Sequence, residues 1–158
     1  EAYPCRLRDH RRLWNIARDN AYDYPGRPHY VADDGTRLDA FVTAVNIRIA
    51  PGQTVNGVVF PVTEANLALL DIREGNYDRV AIDGALEPGP VGRIWTYRGK
   101  AAAEDRYAQG VASGKAVVNA HYHTIVTDAF ASHGDDFLAE YHATTQAPAV
   151  PVVPLKTA

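Results

Sequence analysis

One stretch, Leu67 to Val80, constrains the fold more than any other part of this chain. Its apolar residues recur at helical spacing, and its pattern then changes to that of a strand after Gly75 and Asn76. Thr63 has the chemistry of a helix N-cap, and Gly75 suits the position just after a helix end. The sequence therefore predicts a helix from about 63 to 74, followed by a short strand over 77 to 82.

Strand patterns dominate the first half of the chain and helix patterns the second. Strands are predicted over 5 to 14, 40 to 49, 55 to 62 and 91 to 97, the second and third joined as a hairpin by Pro51-Gly52-Gln53. Helices are predicted over 101 to 112, 116 to 131 and 135 to 143. Residues 18 to 37 form a long polar loop, and residues 147 to 158 an extended proline-rich tail. This order favours an α+β fold with a largely antiparallel sheet.

Length and composition indicate a single globular domain over residues 1 to 158. Apolar residues make up 46% and charged residues 22% of the chain. A net charge of -3 provides no basic field to recruit nucleic acid or an anionic membrane. The one basic cluster, Arg6 to Arg12, is read as a strand with a solvated face rather than as a polyanion site. Cys5 is the only cysteine, which favours a reducing, cytoplasmic location and a buried apolar role for this residue.

The sequence begins at Glu1 and contains no methionine. Since translation starts at methionine, we expect the natural N-terminus to lie upstream of this sequence.

Glu74 is the main candidate for chemistry. Leu67 and Leu70 precede it by seven and four residues, so all three share one helix face. A carboxylate on an apolar face, in the last turn of a helix, is expected to favour its protonated form and to exchange protons readily. The alternatives are a surface glutamate at a frayed helix end, or a glutamate paired with Arg73 or Arg79, which would weaken its action as a base.

The region around Glu74 resembles the γ-glutamylcyclotransferase-like family. In that family a strand of pattern G-v-v-f/w leads to a helix ending L-D-x-x-E, and a tyrosine follows shortly. Residues 5 to 15 and 92 to 97 resemble two further strands of the family, so the resemblance covers roughly residues 5 to 130. The residues that match the motif position by position are Gly57, Leu70, Asp71, Glu74 and Tyr77.

This resemblance implies a small mixed β-barrel flanked by helices. It implies an enzyme that cyclises a γ-glutamyl amine or peptide, with release of 5-oxoproline and an amine, and needs no cofactor or metal. Glu74 would be the catalytic acid/base, Tyr77 and Tyr97 would line the substrate site, and the loop from Arg18 to Arg37 would form a lid. The partner is a small γ-glutamyl molecule, which could be glutathione, a γ-glutamyl amino acid, an ε-(γ-glutamyl)lysine or a secondary metabolite.

The chain departs from the family in one respect. The family's Tyr-Gly-Ser loop, whose backbone N–H groups bind the substrate carboxylate, does not occur in the sequence. The domain is therefore expected to lack its first strand and substrate-binding loop. This departure supports an alternative function, a non-catalytic relative that binds a small molecule or a protein.

Other constellations are weaker. His121 and His123 would share a face on a strand and could then bind metal, but their segment has helical composition, and at this spacing on a helix they diverge. Asp33-Asp34-Gly35 lacks calcium-loop spacing and is read as a turn. Ser113 and Ser132 lack the Gly-x-Ser-x-Gly elbow of serine hydrolases.

Overall fold

Two long antiparallel strands form the frame of the structure, a computed structural model that describes residues 1–158. Strand β1 (Tyr3–Asp19) pairs with β3 (Phe41–Val59) along its whole length, from Tyr3 opposite Val59 to Asp19 opposite Phe41. Strand β3 is rich in β-branched residues, and β1 contributes the buried large apolar side chains of Leu7, Leu13, Trp14 and Ile16, all of which pack well on a pleated surface. The predicted strand over 5 to 14 is confirmed, although it extends further at both ends.

The predicted hairpin between 40 and 62 is wrong. Both predicted strands belong to β3, and both pair with β1 rather than with each other. Arg8 lies opposite Thr54 and His10 opposite Ile49, so residues 50 to 53 face the single residue Asp9. The turn-forming residues therefore make a bulge, in which the Gly52 N–H donates to the Asp9 carboxylate at 2.9 Å.

The central sheet has five strands in the order β5-β1-β3-β7-β8, where β5 is Leu86–Glu87, β7 is Ala116–Asn119 and β8 is Val152–Val153. Strands β5, β1 and β3 are antiparallel, whereas β7 and β8 join in parallel. The prediction of a largely antiparallel sheet is thus confirmed for β5, β1 and β3 but not for β7 and β8. The parallel half arises because the first four residues of the helix predicted over 116 to 131 form β7 instead.

The strands do not close into the barrel that the resemblance implies. The five-stranded sheet is open, and β5 and β8 are its edges. Two separate pairs flank it: β2 (Tyr30–Val31) with β9 (Lys156–Thr157), and β4 (Tyr77–Ala81) with β6 (Trp95–Gly99). The fold is therefore α+β with an open mixed sheet, and the tail over 147 to 158 supplies strands rather than a polyproline segment.

Four helices complete the fold: α1 (Glu64–Arg73), α2 (Ala101–Ala112), α3 (Ala120–Ala131) and α4 (Asp135–Thr144). Thr63 caps α1 as predicted, since its hydroxyl accepts from the Asn66 N–H at 3.2 Å. Asn119 caps α3 by accepting from the His121 N–H. None of these helices has the length and apolar character needed to cross a membrane.

The apolar core lies between one half of the β1–β3 ladder and the segment from 80 to 94. Cys5 is buried in it, as predicted. Helix α1 contributes no buried residue, and the Leu69 and Ile72 side chains on it are each 64% exposed. The core cluster contains Cys5, Leu7, Val55, Ile82, Leu86 and Ile94.

The basic cluster on β1 is only partly solvated. Arg6 binds Glu140 at 2.6 Å and Arg8 binds Glu87 at 3.0 Å at the surface. Arg12 is buried, with its guanidinium against the rings of Phe130 and Tyr141 at 4.7 and 5.3 Å. Burial lowers the pKa of Arg12 to about 10. A solvated face was therefore the wrong expectation for Arg12, because α3 and α4 cover its end of the cluster.

Gly110 sets how closely α2 packs on the sheet. An added Cβ would lie 2.6 Å from the Phe41 Cβ and 3.1 Å from the Ala116 Cβ. We expect Gly110→Ala to lower the free energy of unfolding by about 1–3 kcal/mol, because overpacking outweighs the better helix propensity of alanine. Urea denaturation measures this change.

Gly57→Ala is the matched control, since Gly57 has an ordinary φ and no atom within 4 Å of its added Cβ. It should leave the free energy of unfolding unchanged or slightly higher. An equal loss of free energy of unfolding in both variants would show that close packing of α2 at Gly110 is not the cause.

Candidate functional site

A cavity of about 250 Å³ lies where β1, β3, the end of α1 and the long loop converge. Three of its lining side chains are arginines, Arg18, Arg27 and Arg73, and Glu74 is the one carboxylate among them. The excess of cations favours an anionic ligand. The remaining lining residues are Ile16, Ala17, Tyr24, Pro25, Tyr30, Val42, Thr43, Ala44, Ile72, Gly75, Asn76, Tyr77, Asn119 and Tyr122.

Glu74 is the C-cap of α1, and its side chain is 16% exposed. Its backbone N–H donates to the Leu70 carbonyl, and its carbonyl accepts from the Tyr77 N–H, both at 2.8 Å. The helix end and the start of β4 thus fix this residue on the cavity wall. Gly75 follows the helix end as predicted but does not adopt the positive φ of a glycine cap, and the turn extends over residues 74 to 76.

The Glu74 carboxylate contacts arginines rather than leucines. The Arg73 Nε lies 2.9 Å from Oε1, and the Arg27 Nη2 lies 3.8 Å from Oε2. Pairing with Arg73 is one of the alternatives that the sequence left open, whereas Arg27 was not foreseen. The apolar setting expected from Leu67 and Leu70 is wrong, because α1 lies at the surface and neither leucine is buried.

Tyr77 lines the same cavity as Glu74. Its hydroxyl donates to the Val45 carbonyl at 2.8 Å, so its proton is held by β3. Burial, with smaller effects from Tyr122 and Glu74, raises the pKa of Tyr77 well above its ordinary value. Burial also raises the pKa of Tyr122, another lining residue. Both phenols therefore remain neutral, and the hydrogen bond to Val45 fixes the hydroxyl of Tyr77.

Tyr97 does not line the cavity. Its hydroxyl donates to Asp71 Oδ1 at 2.8 Å, and Arg79 binds the other oxygen of Asp71 at 3.2 Å. These contacts join α1 to the β4–β6 pair. Tyr77 therefore lines the cavity and Tyr97 does not, although both were expected to line the substrate site. Asp71 belongs to the same motif as Glu74, but its carboxylate binds Tyr97 and Arg79 outside the cavity.

The loop over 18 to 37 covers one side of the cavity with Tyr24, Pro25 and Arg27. Asn20 anchors it: this residue is 2% exposed and bonds both the Tyr30 backbone N–H and its carbonyl at 2.9 Å. The loop also pairs with the chain end through β2 and β9. The position suits the predicted lid, and Arg27 connects the loop directly to Glu74.

Several lining residues escaped sequence analysis. Thr43 lies in a β-branched run that gives no local sign of a ligand site. Asn119 lies inside the helix predicted over 116 to 131, and Tyr122 lies between His121 and His123, so neither position indicates a ligand site. His121 and His123 lie on α3, and His123 packs against Trp14 at 5.4 Å. The structure contains no group of three or more residues arranged to hold a metal ion.

No protein-family model matches this chain, and no curated protein or solved structure matches it significantly.

Tyr97 should make the stability of the protein sensitive to alkaline pH. Burial, together with the hydrogen bond to Asp71, raises the pKa of Tyr97 from 10.0 to about 12. Because the folded-state pKa is raised, this stabilisation is complete below pH 10 and is lost as the pH rises through about 12.

Urea denaturation at about pH 9 and about pH 11 tests this linkage. The free energy of unfolding should fall less between the two conditions in Tyr97→Phe than in the wild type. An identical fall in both proteins would show that the Tyr97 hydroxyl has no such role.

Proposed function

We propose that this protein is an enzyme that cyclises a γ-glutamyl amine or peptide and releases 5-oxoproline and an amine. The observation that carries the proposal is the position of Glu74, a fixed and largely buried carboxylate on the wall of a cationic cavity. The motif around it is the part of the sequence that resembles the γ-glutamylcyclotransferase-like family. The sheet of this protein is open, in contrast to the closed barrel that the resemblance implies.

The substrate carries its own nucleophile in this reaction. The α-amine attacks the γ-carbonyl carbon, a C–N bond forms in a five-membered lactam, and the bond to the leaving amine breaks. Holding the γ-glutamyl group curled brings the two reacting atoms together and supplies a large effective concentration. A cavity of about 250 Å³ suits a group of this size.

Glu74 is proposed to move the protons. The α-ammonium must lose one proton before attack and a second one as the lactam forms, and the leaving nitrogen must gain one to depart as an amine. A carboxylate can accept a proton from the attacking nitrogen and donate it to the leaving nitrogen, while the other proton passes to solvent. The contacts with Arg73 at 2.9 Å and with Arg27 at 3.8 Å position the carboxylate on the cavity wall.

The arginines are proposed to attract the substrate carboxylate. Arg18 and Arg27 come from β1 and the loop, and both line the cavity. A guanidinium can bind a carboxylate through two parallel hydrogen bonds. When a substrate anion binds Arg27, this residue would release Glu74 for proton transfer.

A second candidate is a non-catalytic protein that binds a small anionic molecule in the same cavity. The ion pairs of Glu74 favour this function, because a carboxylate held by two arginines is also an ordinary structural element. Catalytic turnover is what separates the two candidates.

Glu74→Gln tests the proposed enzyme. The substitution keeps the size of the side chain and removes its capacity to carry a proton. We expect kcat for 5-oxoproline release to fall by about 100-fold or more, with the fold retained. Chromatographic detection of 5-oxoproline, from a panel of γ-glutamyl amines and peptides, measures turnover, and circular dichroism checks the fold.

Asp71→Asn is the matched control, an acid-to-amide change one turn earlier on α1 and outside the cavity. It should leave kcat within about threefold of the wild type. Full turnover by Glu74→Gln would refute the assigned role, and a wild type that binds these compounds without turnover would support the second candidate.

A further inference from the structure

Thr43 is a cavity residue with a buried hydroxyl group that forms no hydrogen bond. Its side chain is 1% exposed, and its hydroxyl has no hydrogen-bond partner. Buried hydroxyl groups are nearly always hydrogen-bonded, since leaving one unpaired costs free energy. Since Thr43 is one of the lining residues, the fold keeps an unsatisfied polar group within the cavity wall.

The sheet directs this side chain towards one face. Thr43 lies in β3, directly opposite Ala17 on β1 and Val118 on β7. Residues that lie opposite each other in adjacent strands project to the same face, so Thr43 is flanked by a small and an apolar side chain. Neither of these two side chains has a group that can accept or donate a hydrogen bond, and the Thr43 hydroxyl has no other partner in the structure.

Other polar groups of the cavity are satisfied within the protein. The Asn119 side chain accepts from the His121 N–H and donates to the Tyr30 hydroxyl at 3.0 Å. The Tyr77 hydroxyl donates to the Val45 carbonyl. Thr43 differs from both, because its hydroxyl is fixed by the strand and has no internal bond to give up when a ligand arrives.

We propose that Thr43 is a binding residue for the substrate, and that its hydroxyl forms a hydrogen bond with the uncharged amide of the γ-glutamyl group. This inference rests on the proposed function and adds a specificity-determining residue to it. An uncharged partner fits the site, since the neighbours of Thr43 are apolar and the guanidinium groups of the cavity are better suited to the substrate carboxylate. Removal of the hydroxyl would leave the bound amide unpaired, which is how buried polar sites discriminate against mismatched groups.

Thr43→Val is the direct test, because valine has nearly the shape of threonine and lacks the hydroxyl. We expect KM for the γ-glutamyl substrate to rise about three- to tenfold, with kcat changed by less than about twofold. The free energy of unfolding without substrate should be equal to or higher than that of the wild type, since an unsatisfied polar group is removed. Thr43→Ser keeps the hydroxyl and should keep KM near the wild-type value.

Thr54→Val is the matched control on the same strand. Thr54 lies outside the cavity, so its substitution should not change KM. A stability loss specific to Thr43→Val, without a change in KM, would show a structural role and overturn the inference. Unchanged KM and stability would also overturn it, while leaving the role of Glu74 intact.

The two proposals fail in different ways. If the wild type turns over a γ-glutamyl substrate and Thr43→Val matches it, only the inference on Thr43 is wrong. If the wild type releases no 5-oxoproline from any compound of the panel, the proposed function is wrong and the inference is overturned with it.

Discussion

The antiparallel ladder between β1 and β3 is the interaction on which the other parts of the structure depend. It gives β5 one edge on which to pair and β7 the other, and β7 in turn pairs with β8. The two ends of the ladder have different roles. At one end the ladder holds the apolar core around Cys5, and at the other end it forms the floor of the cavity. A strand of this length has to change direction locally, and the bulge opposite Asp9 lets it do so without losing its partner.

The candidate site joins groups that come from distant parts of the chain. Glu74 is held by local geometry, the end of α1 and the start of β4, whereas its partner Arg27 lies on a loop nearly fifty residues earlier. The charge of the site therefore depends on how the loop is positioned. A change in the position of Arg27 would therefore change the surroundings of the Glu74 carboxylate.

Sequence analysis succeeded where local rules decide the structure and failed where long-range pairing does. The cap at Thr63, the bounds of α2 and the α+β class follow from patterns within about fifteen residues. The turn-forming residues at 51 to 53 were correctly recognised, but a turn and a bulge share the same residues, and only the partner strand distinguishes them. Likewise, the run from Ala116 to Asn119 becomes a strand because β3 offers an edge, which helical composition cannot reveal.

The same limit applied to the site. Glu74 was found because a motif surrounds it, while Thr43 and Arg27 are ordinary residues of a strand and a loop until the fold brings them together. Tyr97, predicted to line the site from a later strand, bonds Asp71 outside the cavity instead, because resemblance of a strand does not fix where its side chains point.

The pairing of β2 with β9 has a consequence for the order in which the cavity is completed. Tyr30 lies opposite Thr157 and Val31 opposite Lys156, and the Ala158 N–H donates to the His29 carbonyl at 3.2 Å. During synthesis the loop that carries Arg27 leaves the ribosome well over a hundred residues before its partner strand exists. The frame of the protein can thus form early, whereas this side of the cavity reaches its final position only after β9 has been synthesised.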